Sequence, residues 1–268
     1  MSSLGIIAGN GVFPIEVAAA ARRRGIRVVA TAHLGETRAE LADHVDEITW
    51  IKVGELQKLI DTFKNAGVEE AAMAGGISRT RLKDSFAPDA RALRMLAGIT
   101  RWSDDAVLRA LAREVESEGI AVIDPVPMLP GALAQAGLIA GPAPDERQLA
   151  DLELAFEVAR SLGAFDIGQT VAVRAGVVAA VEAVEGTDAA LRRAAALCGE
   201  GLVIAKVAKP GQDLRFDRPA IGPATIELLA EIGAAMLGVE AGTCMILERS
   251  RTIEAAGASS VTVYGHAA

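Results

Sequence analysis

The polar segment between Lys206 and Pro223 holds the side chains of this sequence that are best suited to phosphate chemistry. Its cations are Lys206, Lys209, Arg215 and Arg218, and its carboxylates are Asp213 and Asp217. Cations neutralise phosphate oxygens, while carboxylates bind a divalent metal or activate a water molecule, so this mixture suits the hydrolysis of a diphosphate. A surface loop with exposed ion pairs is the ordinary alternative, since such pairs are common and weak.

Two glycine loops in the first half of the chain follow predicted strands. Backbone N–H groups in such loops, together with the dipole of a following helix, favour a phosphate or another anion. Ligands of open α/β sheets bind outside the carboxyl ends of the strands, so we expect both loops to face one cleft. Tight turns that only join two elements are the alternative. The candidate contacts are Gly9, Asn10, Gly11, Gly75, Gly76, Ser78 and Arg79.

Polar side chains also lie at the ends of other predicted elements. Asp105 is in the first turn of a predicted helix and is a candidate metal ligand, whereas Asp104 is explained as the helix cap. A predicted hairpin has Gln169 before it and Glu182, Thr187 and Asp188 after it. Capping and the helix dipole suffice for Thr187 and Asp188, but they do not explain Glu182.

The elements before residue 125 alternate in the manner of a parallel α/β sheet. Predicted strands cover residues 4–8, 27–31, 47–53, 70–74 and 120–123. Predicted helices cover residues 14–24, 56–65, 88–96 and 104–118. This order predicts a Rossmann-like nucleotide-binding domain over residues 1–124.

Residues 125–144 are rich in proline and glycine and predict a linker. Beyond it, predicted strands cover residues 170–174, 177–182, 201–207, 243–248 and 260–264. Predicted helices there cover residues 145–162, 187–197, 225–237 and 252–256. Because the first two of these strands are joined by a hairpin signal, residues 145–268 predict a second, catalytic α/β domain with a mixed sheet.

Composition and charge narrow the functional classes. With 27 basic and 35 acidic residues, the net charge is −8, which disfavours a nucleic-acid partner. Hydrophobic residues make up 51% of the chain and aromatic residues only 3%, as is typical of an aliphatic α/β core. The two cysteines and three histidines show no metal-ligand spacing. No signal-peptide pattern precedes the first predicted strand, so we expect a cytoplasmic protein.

The first glycine loop departs from the dinucleotide-binding fingerprint. Pro14 stands where that fingerprint has its third glycine, and the second predicted strand ends in Thr31-Ala32-His33 without an acidic residue for the ribose. A nicotinamide-dependent dehydrogenase is therefore disfavoured, although the loop remains suited to another nucleotide.

Taken together, these motifs resemble the LpxI family of UDP-2,3-diacylglucosamine pyrophosphatases, which are enzymes of lipid A biosynthesis. The resemblance spans essentially the whole chain, and the order and spacing of the motifs are specific where each motif alone is weak. The motifs that carry it are Leu4–Gly11 with Pro14, Ala74–Arg79, Asp104-Asp105, Asp166–Gln169, Val181–Asp188 and Arg215–Gly222.

The resemblance implies hydrolysis of UDP-2,3-diacylglucosamine to 2,3-diacylglucosamine 1-phosphate (lipid X) and UMP, with a divalent metal, Mg²⁺ before others. The essential aspartate of the family's Arg-x-Asp-x-Pro pattern matches Asp217, which we expect to bind metal or activate the water that attacks the sugar-side phosphorus. Expected further substrate contacts are Gln169, Thr187, Lys209, Arg215 and Arg218. The secondary metal candidates are Glu182, Asp188 and Asp105.

A non-catalytic regulator that binds a nucleotide or nucleotide sugar through the same first-domain loops is the alternative function. The charged segment around Asp217 argues against it, because a simple binding module does not need those side chains. The expected diacylated substrate is compatible with a peripheral, transient contact between the protein and the inner-membrane surface. The aliphatic composition is compatible with assembly of the chain into a homo-oligomer.

Overall fold

The computed structural model describes residues 2–78, 86–100 and 102–267. Over these ranges the chain folds into two compact units. The first unit comprises Met1–Pro130 with Asp213–Asp217, and the second comprises Gly131–Gln212 with Arg218–Ala268. The division after Pro130 falls inside the segment predicted as a linker. A short excursion from the second half of the chain, which includes Asp217, belongs to the first unit.

The first unit is a parallel sheet with helical connections. Its strands are β1 (Ser3–Ala8), β2 (Arg27–His33), β3 (Glu47–Ile51), β4 (Glu70–Ala74) and β5 (Ala121–Val122). They pair in the order β3-β2-β1-β4-β5, each pair parallel. Its helices are α1 (Phe13–Arg23), α2 (Leu56–Asn65), α3 (Ala90–Ala97) and α4 (Asp104–Glu116), with 3₁₀ turns at Ala39–His44 and Val126–Met128. The predicted Rossmann-like fold is confirmed.

Local sequence signals position these elements. Pro14 lies in the first turn of α1, where its missing N–H has no helical partner to lose. Asp89 caps α3, because its carboxylate accepts the amides of Arg91 and Ala92 at 3.0 and 2.8 Å. The aliphatic side chains of β1 and β2 are buried in the core of the first unit. Phe63 of α2 is fully buried against the same core. The loops at the carboxyl ends of the strands therefore start from a rigid sheet.

The second unit is built around a mixed sheet, as predicted. Its strands are β6 (Gly137–Ala140), β7 (Thr170–Arg174), β8 (Val177–Val181), β9 (Val203–Lys206), β10 (Ala220–Ile221), β11 (Met236–Glu240), β12 (Met245–Ile246) and β13 (Thr262–His266). The main sheet has the order β6-β13-β11-β9-β7-β8, in which β9, β11 and β13 are parallel and the other pairs antiparallel. Its helices are α5 (Glu146–Gly163), α6 (Thr187–Cys198), α7 (Pro223–Glu231) and α8 (Arg249–Ser259).

One predicted helix is too long. The prediction ran from residue 225 to 237, but α7 ends at Glu231 and the chain turns at Gly233, whose φ is +65°. The following residues form β11, which lies inside the sheet between β9 and β13. A strand buried on both faces is continuously apolar, so its sequence lacks the alternation that separates a strand from a helix.

The segment predicted as a linker also contains regular structure. Val126 and Met128 of the 3₁₀ turn are buried in the first unit. Strand β6 pairs with β13 as the edge of the sheet in the second unit. Glycines and prolines predict the turns at the ends of these pieces, but the short strand between them depends on a partner far along the chain.

A pair of glycine substitutions tests the packing around β6. In β13, a Cβ on Gly265 would lie 1.7 Å from the Gln135 backbone oxygen, so Gly265→Ala must displace the chain before β6. We expect it to lower the free energy of unfolding by about 3 kcal/mol. The matched change Gly257→Ala meets no atom within 4 Å in α8 and should raise that free energy by about 0.5–1 kcal/mol. Urea unfolding measures both, and equal effects would contradict the described packing.

Candidate functional site

The strand order of the first unit brings its two glycine loops to one place. β1 and β4 are neighbours, and the sheet extends from this pair through β2 to β3 on one side and to β5 on the other. Ligands of open parallel sheets bind at such a switch point, outside the carboxyl ends of the strands. The loop Gly9–Gly11 follows β1 and the loop Gly75-Gly76 follows β4, so both lie at this edge.

The backbones of these loops are in direct contact. The Gly9 amide donates to the Ala74 carbonyl at 2.8 Å, and the Asn10 amide donates to the Gly76 carbonyl at 2.7 Å. A Cβ on Gly9 would lie 2.3 Å from the Gly76 oxygen, and a Cβ on Gly75 would lie 2.2 Å from the Asn10 oxygen. The close approach of the loops therefore requires glycine at both positions.

A buried glutamate that the sequence reasoning missed joins the two loops. Glu36 is 5% exposed, and its Oε2 accepts hydrogen bonds from the Asn10 side-chain amide and the Ser78 backbone amide, each at 3.1 Å. Its Oε1 is buried, with no hydrogen-bond partner in the part of the chain that the structure describes. A buried acceptor without a partner is costly, which makes Oε1 a candidate acceptor for a ligand donor. The signal in the sequence that could have found Glu36 was an acidic residue shortly after β2 instead of at the end of that strand.

The end of β2 is tied to the end of β1 by a buried histidine and threonine. His33 Nδ1 lies 2.9 Å from the Ala8 carbonyl oxygen, and the Thr37 hydroxyl donates to the same oxygen at 2.6 Å. Burial lowers the pKa of His33 below its ordinary value, although the Ala8 carbonyl and the Glu36 carboxylate act in the opposite direction. A neutral imidazole therefore donates through Nδ1 and fixes the strand end from which the first glycine loop starts.

The excursion Asp213–Asp217, here called the Asp217 turn, is a hydrogen-bonded turn of the first unit. The Asp213 carbonyl accepts the amides of Phe216 and Asp217 at 3.2 and 3.0 Å. Phe216 packs against the same apolar cluster as α2 and β4. The half-buried Asp217 is thus carried by a short turn with its own anchor in the core.

Arg215 attaches the Asp217 turn to the carboxyl end of β5. Its Nη1 donates to the Val122 carbonyl at 3.1 Å and pairs with Glu116 at 2.9 Å, while its Nε and Nη2 contact Asp213 at 3.0 and 2.8 Å. Since β5 lies beside β4, with Val122 opposite Ala71, Arg215 attaches the turn to the β4 side of the first sheet. Arg215 was predicted near the diphosphate, but in the structure all three of its guanidinium nitrogens contact protein.

The second unit gathers a separate set of predicted residues around its hairpin. Glu182 Oε2 accepts a hydrogen bond from the backbone amide of Gln169 at 3.4 Å, and Glu182 Oε1 accepts one from the Thr187 hydroxyl at 2.8 Å. Gly168 makes this possible, because a Cβ there would lie 2.0 Å from the Glu182 carbonyl oxygen. Asp188 lies in the first turn of α6, where its negative charge interacts favourably with the helix dipole.

Two predicted phosphate-binding cations of the second unit have protein partners. Lys209 Nζ forms an ion pair with Asp166 at 2.7 Å, and Arg218 Nη1 donates to the Thr243 carbonyl at 3.2 Å. Their contact with a diphosphate stays a prediction. Arg79 lies outside the described residues, so its predicted contact stays a prediction as well.

The predicted metal ligands do not form one cluster. Within residues 2–78, 86–100 and 102–267, no group of three or more metal-binding side chains comes together. Asp105 is already compensated, because it pairs with Arg109 at 2.6 Å and accepts the Asp213 amide at 3.3 Å. Mg²⁺ usually keeps several waters and takes one or two carboxylates with substrate phosphates, so it does not need a cluster of three protein carboxylates.

The sheet order defines a two-unit α/β protein with a Rossmann-like first unit. Comparison with known families gives a match to the LpxI N-terminal domain over residues 3–132 and to the LpxI C-terminal domain over residues 135–264. The chain belongs to the LpxI family. It is 35% identical to the UDP-2,3-diacylglucosamine pyrophosphatase LpxI of Caulobacter vibrioides, and the alignment covers 99% of this chain and 98% of that protein.

Solved structures of other families show only a distant likeness. Phosphoribosylglycinamide synthetase from Anaerococcus prevotii matches with a TM-score of 0.28 and 13% identity, over 76% of this chain and 44% of that one. The biotin carboxylase domain of Hydrogenobacter thermophilus 2-oxoglutarate carboxylase matches with a TM-score of 0.28 and 16% identity, over 65% of this chain and 35% of that one. Likeness at this level carries no functional argument.

The buried histidine gives a pH-dependent prediction. Because the pKa of His33 is lower in the folded protein than in the unfolded chain, stability is complete above the ordinary value of 6.5 and falls as the pH drops below it. His33→Asn keeps a donor for the Ala8 carbonyl but removes the titration. We expect urea unfolding at pH 7 and pH 5 to show a smaller loss of stability in this variant than in the wild type, by about 1.4 kcal/mol per unit of pKa difference. Equal losses would contradict a neutral buried His33.

Proposed function

We propose that this chain hydrolyses UDP-2,3-diacylglucosamine to 2,3-diacylglucosamine 1-phosphate and UMP, a reaction of lipid A biosynthesis. The full-length similarity to a UDP-2,3-diacylglucosamine pyrophosphatase supports the substrate. The observation that carries the assignment is that the Asp217 turn belongs to the same unit as the glycine loops, where Arg215 bonds it to the end of β5 beside β4.

The first unit supplies an anion-binding surface for the diphosphate. The amides of Gly9, Asn10 and Gly76 are used in contacts between the loops, so the N-terminus of α1, which starts just after Gly11, would supply the partial positive charge that favours a phosphate. The Glu36 carboxylate would repel a phosphate, so its buried Oε1 suits a neutral donor of the nucleoside, either a ribose hydroxyl or the uracil N–H. The surface is thereby polarised, with phosphates at the glycines and the nucleoside towards Glu36.

The reaction transfers one phosphoryl group to water. In our proposal the water oxygen bonds to the phosphorus on the sugar side, and the bond from that phosphorus to the bridging oxygen breaks. UMP leaves with the bridging oxygen, and Asp217 accepts the proton of the attacking water. A carboxylate within reach of the water contributes in the range of about 10²–10⁴ in rate as a general base.

We also propose a divalent cation, with Mg²⁺ before others. When bound, it would neutralise charge on the diphosphate oxygens. Asp217 is the residue of the first unit assigned to hold it, with Glu182 and Asp188 of the second unit as secondary candidates. Alanine variants of these two residues test this assignment, since an unchanged Mg²⁺ requirement would exclude the residue concerned.

Cytoplasmic location, peripheral contact with the inner-membrane surface and a homo-oligomer are parts of the same proposal. Among the described residues, none of the helices has the length and apolarity needed to cross a bilayer. A diacylated substrate is held in a membrane by its acyl chains, so a protein that acts on it has to meet the lipid surface. Flotation with vesicles that contain the substrate tests this contact.

The direct test is incubation with UDP-2,3-diacylglucosamine in ¹⁸O-water, with and without Mg²⁺, followed by mass spectrometry. We expect Mg²⁺-dependent turnover with one ¹⁸O in 2,3-diacylglucosamine 1-phosphate and none in UMP. Label in UMP would contradict attack on the sugar-side phosphorus. Binding of substrate without any turnover would favour the non-catalytic regulator instead.

Replacing the catalytic carboxylate gives a sharper prediction. We expect Asp217→Asn to lower kcat by about 10³, because the amide can neither accept the proton nor carry the charge. The urea midpoint should stay within the error of the wild type, since Asp217 lies on a half-buried turn. Asp61→Asn is the matched control, because it makes the same change on the exposed face of α2 and should leave turnover within about twofold. Retention of most activity by Asp217→Asn would refute the assignment.

A further inference from the structure

We propose that Arg215 and Asp213 are positioning residues that hold the carboxylate of Asp217 in its reactive place. They form a network with residues of α4, here called the Arg215 cluster. Its members are Arg215, Asp213, Glu116, Arg109 and Asp105. The inference rests on the proposed function, because it assumes that Asp217 is catalytic.

Asp213 organises the Asp217 turn from within. Its carbonyl oxygen accepts the amides of Phe216 and Asp217, and its side-chain Oδ1 accepts the Arg215 amide at 3.1 Å. A carboxylate that accepts the amide two residues onward stabilises a turn in the way a backbone carbonyl does. Asp213 therefore sets the local backbone conformation of the turn that carries Asp217.

Arg215 fixes that turn to the sheet. Its guanidinium holds Asp213 on one side, and on the other it reaches both Glu116 at the end of α4 and the Val122 carbonyl at the end of β5. A planar guanidinium can make these contacts at once because its donors point in fixed directions, which a lysine ammonium cannot reproduce. Phe216 lies below the same group, with the Arg215 Cζ 5.5 Å from its ring centroid.

A second attachment reaches the start of α4. Asp105 accepts the Asp213 amide at 3.3 Å and is itself paired with Arg109 at 2.6 Å. Arg109 also approaches the Asp213 carboxylate at 3.7 Å. The Asp217 turn is thus attached to both ends of one helix and to one strand, all within the first unit.

The charges of the Arg215 cluster favour positioning over substrate binding. Three carboxylates face two guanidinium groups, so the cluster has no surplus positive charge for a diphosphate. Hydrogen bonds from Arg215 hold the pKa of Asp213 below its usual range, and the pKa of Arg215 is raised in turn. The ion pair between Arg215 and Asp213 is therefore formed at neutral pH.

The test is steady-state kinetics of Arg215→Lys with UDP-2,3-diacylglucosamine and Mg²⁺, together with calorimetric binding of UMP. We expect kcat to fall about 100-fold, as misplacement of a reacting group by about 1 Å does, while KM and the UMP affinity change less than about threefold. Asp213→Glu, which keeps the carboxylate that pairs with Arg215, should retain most of the wild-type kcat. Arg192→Lys alters a comparable arginine–glutamate pair with Glu231 in the second unit and should leave kcat within about twofold.

A double variant separates positioning from other roles. On an Asp217→Asn background, Arg215→Lys should lower kcat by less than about threefold more, because residues that act through one group are not additive. If Arg215→Lys does not fold, Glu116→Gln, which removes one contact of the same guanidinium, should show the same loss of kcat at constant KM in smaller degree.

The outcomes distinguish this proposal from the proposed function. An inactive wild type, or full activity of Asp217→Asn, would overturn the function itself. An active wild type in which Arg215→Lys raises KM or weakens UMP binding at constant kcat would overturn positioning and make Arg215 a substrate-binding residue. Additive losses in the double variant would overturn it too.

Discussion

One guanidinium group connects the carboxylate assigned to the reaction with the sheet that holds the glycine loops. Arg215 donates to the carbonyl at the end of β5 and grips Asp213 in the turn that carries Asp217. Because β5 lies beside β4, that contact attaches Asp217 to the same sheet from which the loops of Gly9 and Gly75 emerge. The loops are held together by their own backbone contacts, in which Arg215 takes no part.

Much of the fold is readable from local signals in the sequence. Helix α2 and strand β4 occupy the residues predicted for them, because Ala66-Gly67 ends the helix and Gly75-Gly76 ends the strand. Strand β11 escaped the prediction, since its apolar residues follow a helix without an alternating pattern and its burial depends on β9 and β13. The same holds for β6, a short run among turn residues that becomes a strand only by pairing with β13.

The site is less readable, for a related reason. The contact between the two loops requires glycine at positions 9 and 75. The sequence pattern alone predicted that these two loops face one cleft. The charge of a side chain, in contrast, does not show which group it will pair with. Arg215 has the chemistry of a phosphate-binding residue, but its guanidinium donates to Asp213, Glu116 and the Val122 carbonyl. Glu36 was missed because it follows β2 after a short loop, and only the folded chain turns it towards Asn10.

In the proposed function, the nucleotide binds at the carboxyl edge of the first sheet. Amide chemical shifts of ¹⁵N-glycine-labelled protein, recorded by NMR during titration with UMP, test it directly, because glycines are spread over both units. We expect the largest changes at Gly9, Gly75 and Gly76. Changes confined to glycines of the second unit, such as Gly168 and Gly186, would contradict it.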